Sequence, residues 1–311
     1  MRSDDGSGGE LMSIKVTPLE EVEQRSRDVA IGTFDGVHLG HRAVIEGSDT
    51  VLTFEPHPLE VLRPEIAPKL INSLEVKRDV LDGLGVEELV VIRFDEEFSH
   101  RSAEEFIDYV LIEKLAARRV AVGENFHFGA KARGTAAMLA KHPEFETRVQ
   151  KMVEIDGEPV SSSRIRAEIA AGDMEGARRC LGVPYMIEGE VVSGDRRGRE
   201  LGFPTANLIP DPRLVTPGNG VYAAFANGHP AAVNVGTRPT FDSDRGVLIE
   251  TFLIDFSGDL YGQNLRVAFV ERLREEKAYD VIDALVEQMH ADVNDARRIC
   301  ADFSEAAARG G

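Results

Sequence analysis

Cysteine is scarce in this 311-residue chain: Cys180 and Cys300 stand far apart, with no metal-ligand spacing around either. That argues against a disulfide framework or a sequence-local zinc site and leaves two reduced thiols. Long apolar runs are missing as well. No stretch approaches the ~20 residues of a membrane span, and residues 1 to 10 are Gly, Ser and acid rather than a basic and then apolar leader. The expectation is a soluble, cytoplasmic protein whose folded part starts near Met12. Positive charge is also in deficit, with 36 Lys and Arg against 54 Asp and Glu for a formal net charge of −18. Nucleic acid and anionic membrane are therefore poor partners. An anionic small ligand needs local help from Arg, Lys, His, helix N-termini or a divalent cation.

Length and pattern point to two domains, since 311 residues exceed the usual span of one core. From Asp28 to about Gly172, strand-like and helix-like segments alternate. Strands are predicted at Val29 to Ile31, Thr50 to Phe54, Leu89 to Ile92 and Val120 to Val122. Helices are predicted at His38 to Glu46, at Leu74 to Leu84 ahead of Gly85, and after a Ser102/Glu105 capping box. This implies an α/β, Rossmann-like domain with a parallel sheet, whose ligands sit at the carboxyl ends of the strands. After Leu181-Gly182-Val183-Pro184 the pattern changes to short β-branched segments. They run from Ile187 to Val192, Val221 to Ala226, Ala232 to Val235, Val247 to Ile254 and Leu265 to Val270. They read as a small antiparallel β-barrel. A terminal helix from about Tyr279 to Ile299 would lay Val281, Ile282, Leu285, Met289 and Val293 on it. The expected domains are residues 12–184 and 185–311.

Two stretches carry phosphate chemistry. In Gly32-Thr33-Phe34-Asp35-Gly36-Val37-His38-Leu39-Gly40-His41 the two imidazoles lie three apart at a predicted helix start, and Gly40 leaves room for a close approach. A phosphate there meets free N–H groups and two further donors. Ser161-Ser162-Ser163-Arg164-Ile165-Arg166 places hydroxyls and guanidinium groups at a second helix start, where hydroxyl capping without a ligand is the plainer reading. Past the middle, Gly202-Phe203-Pro204-Thr205-Ala206-Asn207 offers two neutral oxygen donors two residues apart. That spacing puts Thr205 and Asn207 on one side of an extended backbone, which suits Mg²⁺. The Gly-rich approach from Gly194 through Gly198 and Arg199 can fold over phosphates. Glu250 interrupts an apolar strand, either as a solvent-facing residue or as a base.

These motifs, with Thr53-Phe54-Glu55-Pro56-His57-Pro58 and Gly123-Glu124-Asn125-Phe126, resemble the bifunctional bacterial riboflavin kinase/FMN adenylyltransferases (FAD synthetases) over nearly the whole folded chain. The resemblance implies ATP-dependent phosphorylation of riboflavin to FMN, followed by adenylyl transfer from ATP to FMN, giving FAD and pyrophosphate. It implies that His38 and His41 stabilise the transferring phosphate and that Gly32, Phe34, Asp35 and Asn125 line the nucleotide or flavin site. Ser162, Ser163 and Arg166 would hold ATP phosphates. Glu250 would take the hydroxyl proton, and Thr205 and Asn207 would hold Mg²⁺ on ATP beside Gly194, Gly198, Arg199 and Gly202. Arg238 to Phe241, Asp259 to Gly262 and Arg274 to Lys277 also match its kinase motifs, as flavin-site walls. The implied partners are small molecules, the protein being a monomer or a weak homo-oligomer.

Two departures are visible. Ser163 stands for the family's threonine, and only eleven residues separate His41 from Thr53, where the family carries a longer helix and loop. The helix bearing His41 must be short. This keeps open a riboflavin kinase with an inactive or weakened adenylyltransferase module. A flavin-binding regulatory protein needs neither a base nor a metal pair, and a class I aminoacyl-tRNA synthetase would need a Lys-Met-Ser-Lys-Ser-like segment that is missing here.

Overall fold

The computed structural model describes residues 13–192, 203–237 and 247–310. By packing, these residues fall into two compact units. One holds the described residues up to Met152 except 38–40 and 68–73; the other takes those two short segments and everything from Val153 onward.

The first unit is built on a six-stranded sheet: β1 (Lys15–Pro18), β2 (Arg27–Ile31), β3 (Thr50–Glu55), β4 (Glu88–Arg93), β5 (Ala117–Gly123) and β6 (Glu146–Gln150). Its order is β1-β4-β3-β2-β5-β6, and every pair is parallel. Alternation along the central strands feeds two cores. Val29, Ile31, Leu52, Phe54, Val90 and Ile92 pack with Phe106, Ile107, Val110 and Leu111. On the opposite face Ala30, Val51, Leu89 and Ala121 pack with Val44 and Ile45 of α1 (Leu39–Ile45) and Leu81 of α2 (Leu74–Asp82). Helices on both faces are what a parallel sheet needs, because each strand is buried twice.

The Ser102/Glu105 capping box is present, with Ser102 Oγ accepting from Glu105 N at 3.0 Å and Ser102 N donating to Glu105 Oε2 at 2.7 Å. It opens α3 (Ala103–Glu105), which continues as a wider π-helix over Phe106–Lys114. Connections leave β2 toward β3 on one side, and β5 lies on its other side, so the strand order reverses between β2 and β5. In such sheets ligands bind at this switch point. The Gly32 to His41 segment follows β2, and Glu124 and Asn125 follow β5, which ends at Gly123.

The second unit centres on a closed antiparallel barrel of β7 (Tyr185–Val192), β8 (Ala206–Leu208), β9 (Gly220–Ala226), β10 (His229–Thr237), β11 (Val247–Leu253) and β12 (Asn264–Arg274), in the order β7-β8-β11-β10-β9-β12. Tyr185, Ile187, Leu208, Tyr222, Val233, Ile249 and Phe269 fill its inside. α4 (Ser162–Ala171) and α5 (Met174–Leu181) join the same core through Ile165, Ile169, Met174 and Cys180. This packing places the segment from Val153 with the barrel, although the sequence pattern changes only near residue 184.

The terminal helix α6 (Ile282–Gly310) packs differently from the sequence expectation. Val281 and Ile282 are 59% and 67% exposed; of the expected stripe Val293 packs on the cluster of Ala223, Ile254 and Val270, where Ala296, Ile299 and Cys300 are buried. The apolar stripe continues past Met289, and its later turns make the contact. Arg274 fixes the helix by a bidentate pair with Asp292, at 2.9 and 2.7 Å.

At the N-terminal end of the sheet Arg27 is only 1% exposed. Its Nε donates to Glu88 Oε2 at 3.0 Å, and its other nitrogens donate to the carbonyls of Arg25, Leu115 and Glu23. Thr17 Oγ1 completes the carboxylate at 2.8 Å. Burial works against the Glu88 charge, but Thr17, Arg27 and Arg25 hold its pKa below the usual carboxylate value. Removing one partner of a satisfied buried pair typically costs about 3–5 kcal/mol. Arg27→Met should therefore lower unfolding stability by about that amount in urea titrations, most of it recovered by Arg27→Met with Glu88→Leu. A loss below about 1 kcal/mol in the single variant would contradict the assignment.

Candidate functional site

The turn after β2 is conformationally costly. Phe34, Gly36 and Val37 have φ of 47°, 90° and 44°, and left-handed backbone at non-glycine residues costs on the order of 1–3 kcal/mol each. Gly32 must be small, because a Cβ there would stand 3.1 Å from the Phe34 ring. Several groups hold the turn. Thr53 Oγ1 and Lys77 Nζ both donate to Thr33 O, at 3.1 and 2.9 Å. Val37 N donates to Phe34 O, and Arg42 Nε to Val37 O at 3.1 Å. Phe34 is 1% exposed and meets the His41 ring edge-on, with centroids 5.3 Å apart. Asp35 is buried.

Lys77 was not singled out by the sequence reading, since a lysine among Glu75, Arg78 and Asp79 looks like a solvated helix face. It is buried; burial lowers its pKa, while the carboxylates of Asp35 and Glu55 oppose that shift. Asn125 lies exposed just past β5, its Oδ1 3.2 Å from where a Gly123 Cβ would stand.

The remaining nucleotidyl-site candidates lie in the second unit. His38 is 6% exposed, and burial depresses its pKa to about 4; a hydrogen bond to its own backbone opposes the shift and the Arg166 charge adds to it. A side chain on Gly40 would press on this imidazole at 3.1 Å and approach Val160 O at 3.7 Å. The serine run divides its labour. Ser161 is the N-cap of α4, its Oγ accepting from Arg164 N at 3.3 Å, so Ser162 and Ser163 occupy the first helical positions without serving as that cap. Arg164 pairs with Glu168 at 2.8 Å and Glu158 at 3.6 Å, whereas Arg166 acts electrostatically on His38. Thus Gly32, Phe34, Asp35, His41 and Asn125 belong to the first unit, and His38, Ser162, Ser163 and Arg166 to the second.

In the barrel the register itself assembles a polar row. Asn207 of β8 pairs with Glu250 of β11, which pairs on its other side with Asn234 of β10. Residues directly opposite on antiparallel strands share a face. The barrel inside takes their neighbours Ala206, Leu208, Val233, Val235 and Ile249, so this row faces outward. Asn234 Nδ2 donates to Glu250 Oε2 at 3.3 Å. Thr205 lies just ahead of β8, two residues before Asn207. Asn207 is 5% exposed, and its Oδ1 is buried without a hydrogen-bond donor among the described residues. A buried oxygen of this kind fits a hard cation, which takes neutral amide oxygens readily.

Beside the row Phe203 meets Phe252 at 5.3 Å and His290 at 4.9 Å. Asn234 is a further residue absent from the sequence reading. Its signal was a polar side chain between Val233 and Val235, at the same alternation as Glu250 between Ile249 and Thr251. Asp259 Oδ1 caps Tyr261 N at 3.0 Å, leaving the Tyr261 side chain half exposed. Gly194, Gly198, Arg199 and Gly202 lie outside the described residues, as do Arg238 to Phe241.

Two families match separate stretches of the chain. The riboflavin kinase family matches residues 181–300, and the FAD synthetase family residues 20–164. The bifunctional riboflavin kinase/FMN adenylyltransferase of Pseudomonas fluorescens is 36% identical over 296 residues, covering 90% of this chain and 94% of that protein. Its namesake in Bacillus subtilis (strain 168) is 38% identical, covering 89% and 93%. A crystal structure from Streptococcus pneumoniae, described as a macrolide-efflux protein, superposes with a TM-score of 0.81 at 31% identity, over 91% of this chain and 99% of that one. No helix among the described residues is long and apolar enough to cross a membrane. The matching halves, the identity to these relatives and the near-complete coverage of both chains place this chain in the family of bifunctional riboflavin kinase/FMN adenylyltransferases.

Proposed function

We propose that the barrel transfers the γ-phosphoryl group of ATP to the primary ribityl hydroxyl of riboflavin through the row Thr205, Asn207, Glu250 and Asn234. The hydroxyl holds its proton at neutral pH, so attack on phosphorus needs an acceptor nearby. Glu250 is that acceptor. Its oxygen forms the O–H bond as the substrate oxygen forms the O–P bond and ADP leaves with the bridging oxygen. Asn234 holds Oε2 from the side and so fixes the carboxylate's orientation. Thr205 and Asn207 would hold Mg²⁺, which neutralises charge on the ATP phosphates when bound. The observation that carries this reading is the Asn207–Glu250–Asn234 register together with the buried, donor-free Asn207 Oδ1.

The nucleotidyl residues do a different task. A phosphate oxygen of FMN is already an anionic nucleophile, and its attack on the α-phosphorus of ATP displaces pyrophosphate without a strong base. The chain then has to position the reactants and offset developing charge. Arg166 brings positive charge, Ser162 and Ser163 add donors at the start of α4, and His41 presents its ring from the turn against Phe34. With its pKa near 4 in the free protein, His38 meets substrate at neutral pH as an uncharged imidazole. Lys77 steadies the turn through Thr33 O; burial lowers its pKa, and Asp35 and Glu55 oppose that shift.

Glu250→Gln or Asn207→Ala should lower FMN formation from riboflavin by about 10²-fold or more, with adenylylation of supplied FMN unchanged. His41→Ala should show the reverse pattern, both read by chromatographic separation of riboflavin, FMN and FAD. Loss of both activities in either folded variant would refute separate sites. FMN formation without FAD or pyrophosphate in the unaltered protein would select the kinase-only alternative.

His38 also predicts a pH effect on stability. The unfolded imidazole takes up its proton near 6.5 and the folded one near 4, so unfolding stability falls as pH drops through that window and is flat above it. His38→Gln should flatten the 6.5-to-4 segment of the urea midpoint profile. A profile as steep as the unaltered protein's would contradict the buried neutral imidazole.

A further inference from the structure

We propose that Arg148 is a positioning residue for the nucleotidyl site: its guanidinium, reaching from the edge strand β6, closes the carbonyl end of α1 and thereby fixes His41 against Phe34. The inference rests on the reading of His41 as a phosphate-site residue. It concerns a residue that no motif marks.

α1 has seven residues, about two turns, and helices this short do not hold themselves in water. The last carbonyls of any helix lack intrahelical donors, and each needs a partner when shielded from solvent. At the end of α1 the donors can be traced one by one. Arg42 O accepts from Glu46 N, and Ile45 O from Ser48 N, both at 2.9 Å. Gly47 turns the chain with φ of 72°. Three further carbonyls, those of Ala43, Val44 and Glu46, accept from one side chain: Arg148 Nη1 at 3.0 Å, and Nη2 at 2.6 and 2.6 Å. The next carbonyl, Gly47 O, accepts from Arg119 Nη2 at 2.8 Å, and that guanidinium is also paired with Asp28.

Charge and shape both favour this arrangement. A cation at a helix C-terminus meets the negative end of the helix dipole. A planar fork reaches several carbonyls at once, which an ammonium on a flexible stem cannot do equally well. The clamp is mounted on the sheet itself, since Arg148 stands opposite Ala121 of β5, and β5 pairs with β2, from which the strained turn emerges. At the start of the helix Arg42 Nε holds Val37 O at 3.1 Å. His41 lies between these two fastenings, one residue before Arg42 and two before Ala43. Loosening either end turns its ring away from Phe34. An eleven-residue passage from His41 to Thr53 leaves no further helical turns to take up the load.

The test uses the full-length protein and three forms: unaltered, Arg148→Met and Arg148→Lys. Peptide-resolved hydrogen exchange over residues 39–48 should be about tenfold faster or more in Arg148→Met, with barrel peptides unchanged. In parallel, the kcat of FMN adenylylation should fall by a similar factor with KM for FMN within about twofold, while riboflavin phosphorylation keeps its rate. Arg148→Lys should recover part of both losses. Unchanged exchange over α1 in Arg148→Met overturns the proposal, and so does faster exchange with full adenylylation. If the unaltered protein forms no FAD at all, the reading of the nucleotidyl site fails, but the exchange measurement still decides whether Arg148 holds the helix.

Discussion

The turn between β2 and α1, proposed as a phosphate-handling segment, reaches the switch point of a parallel sheet only by adopting left-handed backbone at Phe34 and Val37. That conformation is unfavourable by itself, so its surroundings must over-determine it. They do so from four directions. β3 contributes Thr53, α2 contributes Lys77, the turn pins itself through Val37 N, and α1 returns Arg42 to Val37 O. The cores on the two sheet faces hold these elements in register, and the Arg27–Glu88 pair ties β2 to β4 at the other end of the sheet. Fold and site are therefore one mechanical system in this half.

The barrel solves its problem by alternation instead. Each strand spends its inward side chains on a dry interior, which frees the outward ones for chemistry. Because β8, β11 and β10 are neighbours, one outward residue from each falls into a single row without any unusual backbone. Asn207, Glu250 and Asn234 gain their geometry from ladder hydrogen bonds, which resist displacement better than loops do. Two chemistries thus coexist on one chain with different demands. A hydroxyl nucleophile needs a base and a metal-binding oxygen pair, and a phosphate nucleophile needs charge compensation and orientation.

Much of this was legible in the sequence because the signals were local. Strands β2 to β5, the Ser102 capping box, the Gly85 helix stop and five of the six barrel strands, all but the three-residue β8, follow from periodicity and turn residues over a few positions. Asn207, singled out by its two-residue spacing from Thr205, takes its place in the β8–β11 register. What stayed hidden depends on partners distant in sequence. Lys77 lies 44 residues from Thr33, and Arg148 more than 100 from the carbonyls it holds. Asn234 acquires meaning only through the β10–β11 register. The stripe on α6 began too early, with Val281 and Ile282 exposed and Val293 packed, because the sequence offers apolar residues along the whole helix. Which turns touch the barrel is decided by Ala223, Ile254 and Val270 on the strands, and by the Arg274–Asp292 pair that fixes the helix.

The central claim is that one chain carries two separate sites, one for phosphorylating riboflavin and one for adenylylating FMN. The most direct measurement mixes equal amounts of Glu250→Gln and His41→Ala protein with riboflavin, ATP and Mg²⁺, and follows all three flavins over many turnovers. The account predicts FAD from the mixture and none from riboflavin with either variant alone. A mixture that accumulates FMN without FAD, or makes neither product while both variants remain folded, would contradict it.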